Sequence, residues 1–289
     1  MKLRSVLSPT NRKVRLLVGL FLAGLLAIQC TRTEAWKESA GVTAIGGNPI
    51  GDNSSLAATI DKLARTDHIA LLDMSLRNCQ AKYHDFTCTF SKQEVINGSS
   101  KGLQVIEAKH MESPFSVAMT WVKNPPLGDK LIYVEGKYDN QMLVRPTSVI
   151  ARVFLPVAVR PPDDPEALKN TLRPINMFGF DRGMKSLLEV YRAAKAAGDL
   201  KESFGGYARV SGRSTVVLIR RLPDAPEYRM ASAKTVIFLD TDYLVPIRIE
   251  GYDADGIPSS AYEYSNVKFN LGLTGDDFLP ENNDMKSPK

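Results

Sequence analysis

Three histidines, three cysteines and scattered acids are the raw material for chemistry in this 289-residue chain. Their spacing assembles little. HExxH, the nucleotide loops and CxxC do not occur, and no nucleophile elbow is read from the pattern. His84 precedes Asp85, but neighbours on a strand point to opposite faces, so the two cannot work as a base and its orienting acid. His68 falls on a helical stretch and His110 on a strand, each without a partner at ligand spacing. Asp253-Ala254-Asp255-Gly256 resembles the start of a calcium loop, lacks the later ligands and reads as a tight turn. Asp276-Asp277 reads as an exposed acid pair, and Asn53 and Asn97 head glycosylation sequons. No catalytic residue, metal site or cofactor is expected.

What the spacing does assemble is an apolar face. Phe115, Val117, Met119 and Trp121 alternate with Ser116, Ala118 and Thr120. Tyr133 on the next strand and Ile237 and Ile247 later add residues of the same character. Two readings stand: a plain core between sheet and helices, or a cavity open to an acyl chain, for which Met is an adaptable lining. Cys79 and Cys88 are the cysteines left after the N-terminal segment. In an exported chain they read as one disulfide, the alternative being two separately buried thiols.

The elements that must position these residues follow from periodicity. Leu56, Ile60, Leu63, Ile69, Leu72 and Leu76 recur at helical spacing, with a break near Thr66-Asp67. From Tyr83 the period becomes two, and Asn97-Gly98 marks a hairpin. Strands are expected over 103–111, 115–121, 131–135 and 141–144. Residues 156–165 carry four prolines and read as irregular. A helix is expected over 181–197, capped by Asp181 and stopped by Gly198. Five strands follow, over 202–211, 213–221, 229–240, 244–252 and 258–269. No βαβ alternation appears, so a curved antiparallel sheet with helices on its inner face is expected rather than a doubly wound fold.

Charge separates the chain into two parts. The net charge of +5 resides in residues 1–35, where Lys2, Arg4, Arg12, Lys13, Arg15 and Arg32 face one Glu34. The remainder is neutral and lacks the basic face of a nucleic-acid binder. Leu16–Ile28 is an apolar run of signal-peptide length, too short to span a bilayer easily, and Thr33-Glu34-Ala35 offers a cleavage site. Gln29 before Cys30 departs from a lipobox. The expected organisation is a signal peptide or N-terminal anchor over 1–35, a flexible tether over 36–54, one domain over 55–280 and a disordered tail over 281–289. The location is the periplasm or cell envelope, with the N-terminus as a possible membrane anchor.

The run Tyr83-His84-Asp85-Phe86-Thr87-Cys88-Thr89-Phe90, then Gln93-Glu94, Asn97-Gly98, Pro114–Val117 and Tyr133–Gly136, resembles a bacterial exported family, number 1571 among the domains of unknown function. The late segment Leu239-Asp240, Leu244–Ile249, Asp255-Gly256 and Tyr264 agrees with it. More distantly the layout is similar to the LolA/LolB lipoprotein carriers and a related sensor of envelope stress. The resemblance implies a LolA-like incomplete barrel of about ten strands, helices on the concave face as a lid, and a hydrophobic cavity for acyl chains. The proline-rich stretch 150–180 does not align with the carriers, and no single functional residue transfers. The function expected is a non-enzymatic envelope module carrying or sensing a lipid, an acylated peptide or a similar apolar ligand. The alternatives are a protein-interaction domain with a closed core and, third, a hydrolase acting on envelope material.

Overall fold

The computed structural model describes residues 41–45, 55–228 and 231–288. The expected export segment lies outside the described residues, as does the tether except for 41–45.

Among the described residues thirteen strands form one sheet, and every pairing is antiparallel. They are β1 (Val42–Ile45), β2 (Asp85–Ile96), β3 (Ser99–Ser100), β4 (Gln104–Glu112), β5 (Phe115–Lys123), β6 (Gly128–Val134) and β7 (Met142–Pro146). The series continues with β8 (Ala158–Arg160), β9 (Lys201–Val210), β10 (Arg213–Arg221), β11 (Lys234–Asp240), β12 (Pro246–Tyr252) and β13 (Pro258–Phe269). Their order is β1-β9-β10-β11-β12-β13-β2-β4-β5-β6-β7-β8, with β3 beside β2. The sheet is open, and its path runs from β1 at one edge to β8 at the other. The helices are α1 (Ser55–Thr66), α2 (His68–Lys82), α3 (Val149–Phe154), α4 (Pro165–Leu168) and α5 (Phe180–Ala197).

Two apolar layers use one face of this sheet. Directly opposed residues share a face, and the register joins Tyr133, Val117, His110 and Phe86 in one row across β6, β5, β4 and β2. Leu131, Met119, Ala108 and Cys88 form the next row, and Trp121, Ile106, Phe90 and Tyr264 a third that reaches β13. Phe178, Phe180 and Met184, at the start of α5, pack against these rows. Further along, Ile60 and Ala64 of α1, Leu71 and Leu72 of α2, and Leu187, Leu188 and Tyr191 of α5 bury Val216, Leu218, Ile237 and Leu239. The break between α1 and α2 falls at Asp67, which is extended and accepts the Ala70 N–H at 2.9 Å, an N-cap that starts the second helix.

Four expectations need correction. Residues 42–45, placed in a tether, pair with β9 as an edge strand. The proline-rich excursion contains β8, because Pro161 and Pro162 follow the pairing residues instead of interrupting them. The cap of α5 is Gly179, not Asp181. Gly179 has φ of 98°, and a Cβ there would come within 3.2 Å of the His110 ring, so both conformation and space require glycine. Asp181 sits in the first turn, pairs with Lys185 at 2.6 Å and accepts Gln80 at 2.8 Å. The tail from 281 is not a free end. Phe278 and Met285 are buried against Ala118, Ile132 and Leu143 on the opposite face of the sheet. Lys130 donates to the Asn283 carbonyl and pairs with Asp284 at 2.8 Å, fixing the segment.

Candidate functional site

The structure brings Phe115, Val117, Met119, Tyr133 and Ile247 into one apolar cluster, with Trp121 packed against it. Ile237 belongs to the separate helix-covered cluster. All but Trp121 are buried. Trp121 lies near the strand end and donates its indole N–H to Gln104 at 2.8 Å. Aromatic rings fill the space over the face. The Phe180 centroid is 4.9 Å from Phe86 and 4.6 Å from Tyr264, and Phe178 stands edge-on to Phe90 at 5.2 Å. The lining read from the sequence is thus assembled as a layer occupied by the chain's own side chains.

Among the described residues the most exposed large apolar side chains in one short segment are elsewhere, on α3. Val149, Ile150, Val153 and Phe154 are 72%, 75%, 73% and 85% exposed. Leu127, whose carbonyl accepts the Thr147 N–H at 3.0 Å, extends the patch, and Leu155 and Val159 are also exposed. Polar ties on the inner side explain this orientation. Ser148 caps the helix through the Ala151 N–H at 3.3 Å. Arg152 donates to the Pro146 carbonyl at 2.6 Å, the Thr147 carbonyl at 3.1 Å and Asp129 at 2.5 Å. Asp129 also receives Arg145 through two bonds of 2.9 and 3.0 Å. Burial alone would raise the Asp129 carboxyl, but Arg145 and then Arg152 outweigh it and hold the group below its usual range. The charged side of the turn is therefore consumed internally, and the apolar side faces out. The sequence signal was Val149-Ile150 and Val153-Phe154-Leu155, an apolar run just before the proline-rich stretch 156–165.

A cleft of about 160 Å³ opens between α2, the start of β2, the end of β4 and α5, lined by Cys79, Gln80, Tyr83, His84, Glu112 and Asp181. It holds no activated nucleophile. Burial, and next Glu112 and Asp181, push the Cys79 thiol up to about 12, so it is protonated and weakly reactive at neutral pH. Cys88 is raised in the same way by burial. The expected disulfide is not formed: Cys79 on α2 and Cys88 on β2 are both buried free thiols. His110 contacts Glu112 at 2.8 Å, while Asp85 is occupied by the backbone N–H groups of Leu271, Gly272 and Leu273. Asp253 closes its turn through the Ile257 N–H, and Asp277 completes a capping box with Thr274. One string, Gly98-Ser99-Ser100-Lys101-Gly102, does fit GxSxG. It lies at the β2–β3 hairpin and not on a strand-to-helix elbow, and Ser100 is exposed and its hydroxyl accepts the Gly102 N–H at 3.4 Å. Among the described residues no group of acids, histidines and cysteines could hold a metal ion, and no helix is long and apolar enough to cross a membrane.

A search of curated proteins found no match. Among solved structures, the chain is similar to Pseudomonas aeruginosa MucB in its complex with MucA, at 15% identity and a TM-score of 0.44. That match covers 74% of this chain and 61% of the other, so the chain spans less than two thirds of that protein. It is also similar to the Mycobacterium tuberculosis lipoprotein LppX, at 12% identity and a TM-score of 0.42 over 71% of this chain and 96% of that one. A LolA superfamily protein from Nitrosomonas europaea matches at 10% identity and a TM-score of 0.31, covering 73% and 98%. The family described as protein of unknown function (DUF1571) matches residues 83–287, from the end of α2 through the packed C-terminal segment, and the chain belongs to that family.

Proposed function

We propose that the protein is a non-enzymatic cell-envelope module that carries or senses a lipid, an acylated peptide or a similar apolar ligand. The observation that carries this reading is α3, a helix tied down by its one arginine with its large apolar side chains turned to solvent. Folding alone gives no return for that orientation. An apolar contact does, at about 0.8 kcal/mol for each methylene withdrawn from water. The N-terminal apolar run expected to direct export would bring the domain to a compartment where acyl chains are at hand. The occupant proposed for the patch is therefore the acyl region of a lipid.

A second reading is a protein-interaction domain with a closed core. It is favoured by the filled apolar face, where Phe178 and Phe180 occupy the space above Phe86, Phe90 and Tyr264. Flotation with vesicles of phosphatidylethanolamine and phosphatidylglycerol, together with uptake of a fluorescent fatty acid, separates the two. Co-flotation or saturable uptake supports the lipid reading. Folded protein that shows neither overturns it and leaves the interaction domain.

A further inference from the structure

Leu56, Leu172 and Leu271 aside, every exposed large apolar side chain among the described residues falls between Val122 and Val159. The sheet gathers most of them at one end. Val122 is the residue left without a partner where the register slips between β4 and β5, and it is exposed. Thr120 pairs with Lys130, which brings the end of β5 beside the start of β6 and the exposed Leu127 before it. Gly128 in turn pairs with Pro146, two residues before the cap of α3. A site for one lipid molecule is a concavity that covers most of its ligand. Here the apolar side chains project, and a single bound molecule would cover one side of them. A bilayer surface takes in such a projection whole, within the headgroup boundary.

Charge at the same end has one sign. Asp129 is met by both Arg145 and Arg152, one carboxylate between two guanidinium groups. Lys130 is matched by Asp284. Lys123, next to Val122, is exposed. The cations of this corner therefore outnumber its carboxylates, because Glu135, Lys137 and Asp139 follow β6 at its opposite end. Beyond β8, Arg160, Lys169 and Arg173 balance Asp163, Asp164 and Glu166.

Granting that α3 meets lipid, we infer that the lipid is an anionic bilayer surface, on which this end of the sheet docks with Val122, Leu127 and the apolar side of α3 inserted and Lys123 against the headgroup phosphates. An apolar patch rimmed by polar groups is the usual mark of such a contact. Each Lys or Arg beside an anionic surface contributes about fivefold to partitioning, and salt screens the effect.

The test floats the protein secreted through its own N-terminal segment with two kinds of vesicle, phosphatidylcholine alone and phosphatidylcholine mixed with phosphatidylglycerol, at low and at high salt. Beside wild type it uses Lys123→Glu, and Lys201→Glu on β9 as an equal change of charge at an exposed residue far across the sheet. Wild type is expected to bind the phosphatidylglycerol vesicles severalfold more tightly, and to lose that preference at high salt. Lys123→Glu removes one positive charge and adds one negative, so it should bind those vesicles roughly 20–30-fold more weakly. Lys201→Glu should stay close to wild type, with circular dichroism unchanged in both. Should Lys123→Glu fail to fold, Lys123→Gln takes its place with an expected loss of about fivefold. Equal binding to both kinds of vesicle, or an equal loss in the two variants, overturns the anionic docking surface. Uptake of a fluorescent fatty acid without flotation also overturns it and leaves the carrier reading standing. Folded protein that shows neither removes both and leaves the patch to a protein partner.

Discussion

Replacing Val153 and Phe154 together by glutamine should abolish lipid contact and leave the fold untouched. Both side chains are about three quarters or more exposed, so they contribute little to the native core. Full withdrawal of such a side chain from water is worth about 1.5–3 kcal/mol, and scaling by exposure gives roughly 3–4 kcal/mol for the pair. That corresponds to a loss of roughly 10²–10³-fold in vesicle partitioning. Glutamine carries no charge, so neither repulsion from anionic lipid nor the dipole of α3 enters the comparison. Exposed substitutions away from special features usually change stability by no more than about 0.5 kcal/mol. The assay is vesicle flotation of wild type and variant beside a thermal unfolding curve for each. Partitioning within twofold of wild type would refute α3 as the lipid contact. A loss of binding that tracks a fall in the unfolding midpoint would refute the argument in a different way, because α3 would then be supporting the fold.

Three further outcomes follow from particular contacts. Removing residues 275–289 takes away the buried Phe278 and Met285 and uncovers Ile132 and Leu143; chemical denaturation should show a loss of about 3–6 kcal/mol, and an unchanged midpoint would contradict the packed C-terminal segment. Cys79 and Cys88 should resist alkylation in the native protein and both react after unfolding without reductant; a mass lighter than the dithiol form by two hydrogen atoms would reveal a bridge instead. Asp61 is held below its ordinary 3.8 by hydrogen bonds from Arg65 and then Tyr207. A depressed carboxylate stabilises the native state above its unfolded pKa and loses that contribution as pH falls through the folded one. Asp61→Asn should therefore be less stable at neutral pH and lose less on acidification, and parallel stability–pH curves would contradict the pairing.

Local signals account for what the sequence revealed of the fold. Alternation over Tyr83–Phe90 and Phe115–Trp121, the Asn97-Gly98 turn and the stop at Gly198 each act within a few residues, and each appears where the pattern placed it. What escaped depends on distant partners. Val42, Thr43 and Ile45 are β-branched, but the run is too short to mark a strand, and it becomes one by pairing with the edge that β9 offers. Phe278, followed by Leu279, and Met285 are sparse apolar residues in a polar segment, and nothing nearby indicates that Ala118 and Ile132 await them. Gly179 is required by the His110 ring, sixty-nine positions away. The same distinction governs the candidate site. The apolar character of Phe115, Val117, Met119 and Tyr133 was legible because it is periodic. That Phe178 and Phe180 fill the space above them was not, because the chain folds back there after the proline-rich stretch. The exposure of α3 depends on Arg152 being captured by Asp129, twenty-three positions earlier, which is not a property of a short window.

Native mass spectrometry of the protein secreted through its own N-terminal segment, followed by lipid extraction, tests the central claim most directly. The account predicts a lipid or acylated peptide bound at near-stoichiometric level. Protein that emerges empty, and that also takes up no fluorescent fatty acid, would contradict it.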